Sequence, residues 1–222
     1  MLIVGAGPIG LLHLLAARVR DPEGIIVSEP SDARRAQAFE WGADRVIDPT
    51  REDLAEALED GADVIIVAAP AADAQAEALK LARAGGRINF FGGLPKDRSE
   101  VPLDTNLIHY KELVVTGTTA STNEDCRAAL DLVTTGAVDA KRIISTRRPL
   151  TEAAAAFDDA RSGGALKVVI EAVSSRRPAL GGGAWGAYPA DGPQRNRRGR
   201  WALCSVHHPR TSTPSPPRLP TR

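Results

Sequence analysis

Short apolar runs alternate with amphipathic stretches over roughly the first half of the chain. Leu2-Ile3-Val4 reads as a buried strand. Residues 8–20 read as a helix, with Ile9, Leu12, Ala16 and Val19 at spacings of three and four. Residues 24–28 form a second apolar strand that ends at Glu29. A helix over 31–42 opens at Ser31, a residue type that accepts hydrogen bonds from free helical N–H groups. Gly42 closes it, because glycine tolerates the left-handed turn past a helix end. Arg45-Val46-Ile47 is a third strand, 51–59 a short acidic helix and 62–69 a fourth strand. Residues 73–84 form a helix with Ala78, Leu79 and Ala82 on one face, stopped by Gly85-Gly86. Strands follow at 87–91, ending in Gly92-Gly93, and at 113–116. Continuous apolar strands between amphipathic helices predict a parallel sheet covered on both faces. Right-handed crossovers then give a doubly wound α/β sheet of the Rossmann kind.

Two further helices are predicted over about 123–136, with Ala129, Leu130 and Val133 inward, and over about 151–163, with Ala153, Ala156, Phe157 and Ala160 inward. Ile143-Ile144 and Leu166–Ile170 read as strands. From about Ser174 the periodicity ends. Eight Pro and six Gly among the last 49 residues leave too little apolar surface to offset ordering, so residues 174–222 read as a disordered tail.

The formal charge of zero hides a division. Residues 1–173 carry 19 basic and 27 acidic side chains, whereas 174–222 carry nine Arg, no Lys and only Asp191. Cys126 and Cys204 are too few and too far apart for a disulfide framework or a zinc spacing, which suits a reducing cytoplasm. No signal-peptide pattern is present, and no run approaches the roughly 20 apolar residues of a membrane span.

The chemistry concentrates at the first turn. Gly5, Gly7 and Gly10 fit G-x-G-x-x-G between a strand and a helix. Gly5 permits the tight turn, Gly7 lets backbone approach a pyrophosphate, and Gly10 lets the helix lie close to the strand. The helix N-terminus offers N–H groups and partial positive charge to phosphates, and Pro8 loses nothing there because its missing N–H would have been free anyway. Glu29, at the end of the second strand and nineteen positions past Gly10, is placed to accept hydrogen bonds from an adenosine ribose. Its charge repels a 2′-phosphate, so NAD is favoured over NADP. Arg34 works the other way, because a nearby Arg tolerates a phosphate.

Longer segments carry a resemblance. Residues 2–12, Ile26–Arg35, Trp41–Pro49, Gly85–Pro95, His109–Thr118 and the closing Phe157, Gly163 and Lys167–Ile170 resemble the coenzyme domain of zinc-dependent medium-chain alcohol and polyol dehydrogenases. The sorbitol/iditol branch is the most similar, with threonine dehydrogenase next. The resemblance covers about 1–172. It implies that Gly5, Gly7, Pro8, Ile9 and Gly10 form the pyrophosphate turn and that Glu29 holds the ribose. Arg34 would lie beside the adenosine, Phe91, Gly92 and Gly93 would meet the nicotinamide and its ribose, and Thr118 and Thr119 would lie near the nicotinamide. Ala68-Ala69-Pro70 departs from the family, which ends this strand in a small polar residue and glycine.

The resemblance also implies an N-terminal zinc-binding catalytic domain, expected here to be absent because Met1 stands inside the first strand. No catalytic residue and no metal ligand is therefore assigned to this chain. Tyr-x-x-x-Lys and Walker A patterns are lacking. His13, His109 and Cys126 read as packing or surface residues, and Cys204 with His207-His208 as a poor metal set in a tail. The expected organisation is an NAD-binding Rossmann domain over 1–141, a closing segment over 142–173 that would pack on the missing domain, and the tail. Ile143, Ile144 and Val168–Ile170 are expected to lack their partner. The tail reads as translation past a frameshift rather than as a nucleic-acid arm stacking Trp185 and Trp201 on bases. The expected function is the NAD(H)-binding portion of an alcohol or polyol dehydrogenase, inactive alone. The alternatives are a non-enzymatic dinucleotide module, or half of a split enzyme completed by a separate zinc-binding chain. A homodimer through the edge strand near 113–116 is compatible, and neither a membrane nor nucleic acid is an expected partner.

Overall fold

A computed structural model describes residues 1–172; the predicted tail, 174–222, lies outside the described residues. Six parallel strands form the main sheet: β1 (Leu2–Val4), β2 (Ile26–Ser28), β3 (Arg45–Ile47), β4 (Ala62–Val67), β5 (Ala82–Phe90) and β6 (Val114–Gly117). Their spatial order is β3-β2-β1-β4-β5-β6. Chain order thus reverses between β1 and β4, the place where doubly wound sheets open a crevice.

Helices α1 (Pro8–Arg18) and α2 (Asp32–Glu40) cover one face; α3 (Leu54–Leu58), α4 (Ala72–Leu81) and α5 (Thr105–Tyr110) cover the other. The strand pleat explains the division. Ile3 and Val27 pack with Leu11, Leu14 and Trp41, while their strand neighbours Leu2 and Val4 pack with Ile65, Val67, Leu79 and Ile88. Each large side chain fully removed from water contributes about 1.5–3 kcal/mol. Apolar residues on both faces of one strand therefore commit it to the middle of the sheet. Among the described residues no helix is long and apolar enough to cross a membrane.

The structure departs from the sequence pattern in three places. The fourth helix does not run to Gly85-Gly86. It stops at Leu81, where Lys111 Nζ donates to the carbonyls of Lys80 and Ala82, 2.8 Å from each. The glycines lie instead inside β5, in a bulge opposite Asp63, with Gly85 at φ +74°. Helix α5, unpredicted, is capped by Asp104 and packs Leu107 and Ile108 on the core.

Beyond β6, α6 (Asn123–Thr134) starts in a Thr122/Asp125 capping box but buries no residue. Leu130 is 60% and Val133 45% exposed, contrary to the inward face predicted for them. The sheet faces are already covered by α1–α5, which leaves no described surface for this stripe. In α7 (Ala153–Arg161) only Ala156 is buried, and Phe157 is 61% exposed. Ile143 corrects the opposite way. It lies in a short 3-10 turn, not a strand, and is buried against the α1–α2 layer. Arg142 fixes that turn by pairing with Glu40 at 3.1 Å and lying over the Trp41 ring, 4.7 Å from its centre. The strands of this segment are β7 (Thr146–Pro149) and β8 (Val168–Glu171), a separate parallel pair.

Candidate functional site

The C-terminal ends of β1, β2, β4, β5 and β6 lie along one edge of the sheet, and the residues that the resemblance assigns to the coenzyme fall just past these strand ends or in the first turns of α1 and α2. Gly5 turns the chain out of β1 at φ +100°, and its N–H donates to Ser28 O at 2.8 Å. A Cβ on Gly10 would stand 1.8 Å from Gly5 O, so only glycine lets α1 approach the strand this closely. Gly7 differs. Nothing lies within 4 Å of where its Cβ would be, and its backbone faces open space. Gly7 also caps α1 without any side-chain hydrogen bond, Pro8 follows at the first helical position, and Ile9 is 41% exposed. The uncapped helix end is thus directed at that open space, as an anion site requires.

Glu29 joins the second strand end to this turn. Its Oε2 accepts the Ala6 N–H at 2.8 Å, and its Oε1 accepts the Ser31 N–H at 3.0 Å. The residue is 5% exposed. Each carboxylate oxygen keeps acceptor capacity beyond its one N–H, so a pair of hydroxyls can still be received. Arg34 does not reach this carboxylate. Its guanidinium donates to Gly163 O at 2.9 Å, in the loop between α7 and β8. Arg35, which no sequence motif marks, faces the strand end instead, donating to Glu29 O at 2.6 Å.

Across the crevice, Ala69 is the hinge of the packing. Gly5 and Gly92 both abut it, and a Cβ on Gly92 would lie 2.7 Å from Ala69 O. The Phe91 and Gly92 N–H groups both donate to Val67 O, at 3.0 and 2.8 Å. Gly93, like Gly7, has nothing within 4 Å of its missing Cβ. Gln75, buried on α4, donates to Gly92 O at 3.1 Å and fixes the direction of that carbonyl. Gln75 carries no signal in the linear pattern, because a polar residue on a helix reads as solvent-facing. Just past β6, Thr118 Oγ1 accepts from Asn89 Nδ2 at 2.6 Å, and Thr118 and Thr119 are both exposed. Ala120 follows at φ +59°, a conformation costing an L-residue about 1–2 kcal/mol. Ala120→Gly should therefore stabilise the chain by up to about 1 kcal/mol after the added unfolded-state entropy is subtracted, read from denaturant midpoints.

His13 lies edge-on to Phe91, with ring centres 4.7 Å apart at 82°. Burial lowers its pKa from the ordinary 6.5. Below that value the unfolded histidine takes up a proton that the folded one refuses. Stability is therefore full above the unfolded pKa and falls with pH toward the lowered folded value. The chain should lose more melting temperature between about pH 7 and pH 5 than His13→Leu does.

Among the described residues no group of three or more His, Cys, Asp or Glu side chains could hold a metal ion. The zinc that the family resemblance implies therefore finds no fitting donor set here. The open faces at Gly7 and Gly93 and the α1 N-terminus without a side-chain cap are features that a dinucleotide's backbone contacts would need.

The zinc-binding dehydrogenase family matches residues 8–135. L-Threonine 3-dehydrogenase of Pyrococcus abyssi is 39% identical over 125 residues, 54% of this chain and 35% of that protein. Sorbitol dehydrogenase of Bombyx mori is 32% identical over 178 residues, 77% of this chain and 50% of that protein. Among solved structures, a zinc-binding dehydrogenase from Sinorhizobium meliloti bound to NADP superposes with a TM-score of 0.70 at 34% identity, over 76% of this chain and 51% of that one. The chain thus spans about half or less of the length of these relatives. It belongs to the zinc-binding dehydrogenase family, of whose members it spans the coenzyme-binding part.

Proposed function

We propose that this chain binds NAD(H), in preference to NADP(H), as the coenzyme-holding portion of an alcohol or polyol dehydrogenase. The observation that carries this reading is the Glu29 carboxylate, which ties the second strand end to the Ala6 N–H beside the open Gly7 backbone. A diphosphate would lie against Gly7, Pro8 and Ile9 at the head of α1, with its adenosine ribose on Glu29. Phe91, Gly92, Gly93, Thr118 and Thr119 would flank the nicotinamide half, and Arg34 the adenosine. The nicotinamide supplies the hydride acceptor for oxidation of a secondary alcohol to a ketone. The described residues orient that ring and offer no metal set, so polarising the alcohol oxygen falls to groups outside them. The NADP bound to the Sinorhizobium relative supports a dinucleotide in this crevice, and Glu29 argues for the unphosphorylated form.

The test is a fluorescence titration with NADH and NADPH. Saturable NADH binding that is tighter than NADPH binding supports the proposal, and no binding of either overturns it. Polyol oxidation by the chain with added zinc is expected to stay at background.

A homodimer through the free edge of β6 goes with this reading. Val114 is 41% exposed on the outermost strand, which has backbone groups available for pairing. Val114→Lys should shift the chain to a monomer in analytical ultracentrifugation. An unchanged sedimentation profile would place any dimer elsewhere.

A further inference from the structure

We infer that the buried Arg35–Asp48 pair is a positioning device for the Glu29 strand end, and that it sets the preference for a free ribose diol over a 2′-phosphorylated ribose. This rests on reading the crevice as a dinucleotide site.

Three loops meet at this point. Glu29 is held through its side chain by Ala6 and Ser31, as described, but its main chain needs a separate anchor because β2 ends at Ser28. Its N–H continues the sheet by donating to Ile47 O at 3.0 Å. Its carbonyl has no strand partner and is taken by Arg35 Nη1 at 2.6 Å. Arg35 is in turn held. Its Nη2 lies 3.1 Å from Asp48 Oδ2 and also pairs with Asp32. The Arg35 side chain is 11% exposed and that of Asp48 7%, so this pair is shielded from screening by solvent in a way surface pairs are not.

Asp48 stands just past β3, and its other oxygen is fixed independently. Oδ1 accepts from the Thr50 N–H at 3.0 Å and from the Thr50 hydroxyl at 2.6 Å. Those two hydrogen bonds, with Arg35 and Arg51 adding to them, hold its carboxyl below the ordinary range. The chain of support runs Thr50 to Asp48 to Arg35 to the Glu29 main chain, and then through the Glu29 carboxylate to the phosphate turn. Only a planar guanidinium can bridge a carbonyl and a carboxylate at once in fixed directions; a lysine ammonium at the same place makes a point contact.

The arrangement also decides charge. Arg35 gives Nη1 to the neutral Glu29 carbonyl and Nη2 to the Asp32 and Asp48 carboxylates, so two of its three nitrogens are occupied and two carboxylates offset its single charge. Arg34 is turned to Gly163 O. A ribose diol meets a fixed carboxylate, whereas a phosphorylated ribose meets a like charge while Arg34 and Arg35 are both held by other partners.

The experiment measures NADH and NADPH dissociation constants and melting temperatures for the full chain, Asp48→Ala, Arg35→Lys and Asp48→Asn. Asp48→Ala and Arg35→Lys are expected to weaken NADH by about fivefold or more while changing NADPH by less than about twofold. Asp48→Asn, whose one amide oxygen must serve either Thr50 or Arg35 where the carboxylate served both, should bind NADH better than Asp48→Ala but less well than the parent chain. Equal weakening of both coenzymes would reduce the pair to a structural support and overturn the inference, as would NADH binding indifferent to both Asp48→Ala and Arg35→Lys. If Asp48→Ala does not fold, Arg35→Lys carries the same expectation. A parent chain that binds neither coenzyme overturns the dinucleotide reading and this inference together. One that binds NADH and loses it in Glu29→Ala, yet ignores Asp48 and Arg35, overturns only the positioning role.

Discussion

Gly10→Ala should unfold much of the chain's stability margin, by about 3 kcal/mol or more, and abolish dinucleotide binding with it. The added methyl would stand 1.8 Å from Gly5 O and 2.9 Å from Gly5 C, and both are backbone atoms. Neither can yield cheaply. Gly5 is held at φ +100°, and its N–H is bonded to Ser28 O at 2.8 Å. The strain must therefore be relieved by lifting α1, which carries the buried Leu11 and Leu14. Gly7→Ala is the matched control. Its φ of −69° suits any residue, and its Cβ would meet nothing within 4 Å, so stability should stay within about 0.5 kcal/mol of the parent. NADH binding should nevertheless fall, because the methyl occupies the face offered to the phosphates. Denaturant midpoints with parallel NADH titrations separate the two variants. A Gly10→Ala chain as stable as its parent would show that α1 does not need this approach, and a Gly7→Ala chain with full NADH affinity would show that the open face is not the phosphate site.

The second large effect is expected at Glu29. Glu29→Ala removes the acceptor of the Ala6 N–H, which is buried, and of the Ser31 N–H. A buried donor left without a partner costs about 1–3 kcal/mol, so the folded chain should lose roughly 2 kcal/mol. Hydrogen bonds from a ribose diol to a charged acceptor are of similar size, and their loss should raise the NADH dissociation constant roughly thirty-fold. NADPH should lose less, because the same substitution removes a repulsion. The two coenzymes should therefore converge in affinity. NADH bound equally well by Glu29→Ala would remove the central support for the proposed function.

The sheet was legible because its strands are apolar on both faces. Leu2-Ile3-Val4 and Ile65, Val67 and Ile88 have no solvent-facing alternative, and the intervening helices carry stripes of matching length. The phosphate turn was legible for a related reason. Glycine at three fixed spacings has a steric meaning that does not depend on distant neighbours. The C-terminal third was less legible. The stripes on α6 and α7 have the right period to be buried, but period states only that a face is apolar, not that a partner exists. Leu130 and Phe157 stand exposed for want of one among the described residues. Ile143 shows the converse, a short apolar pair read as a strand whose first member fills a gap beside α1.

By itself, then, the amino-acid order determined the alternation of strand and helix, the glycine turn, and the acid that follows the second strand. These depend on local sterics and on near-neighbour burial, which a linear pattern records. Tertiary structure alone decided that Arg35 rather than Arg34 grips the Glu29 strand end, that Gln75 aims the Gly92 carbonyl, and that Asp48 and Thr50 support the arginine from a third loop. Each of these is a directional contact between segments far apart in sequence. Its existence turns on a few tenths of an ångström in how helices settle on the sheet, and no residue spacing encodes that.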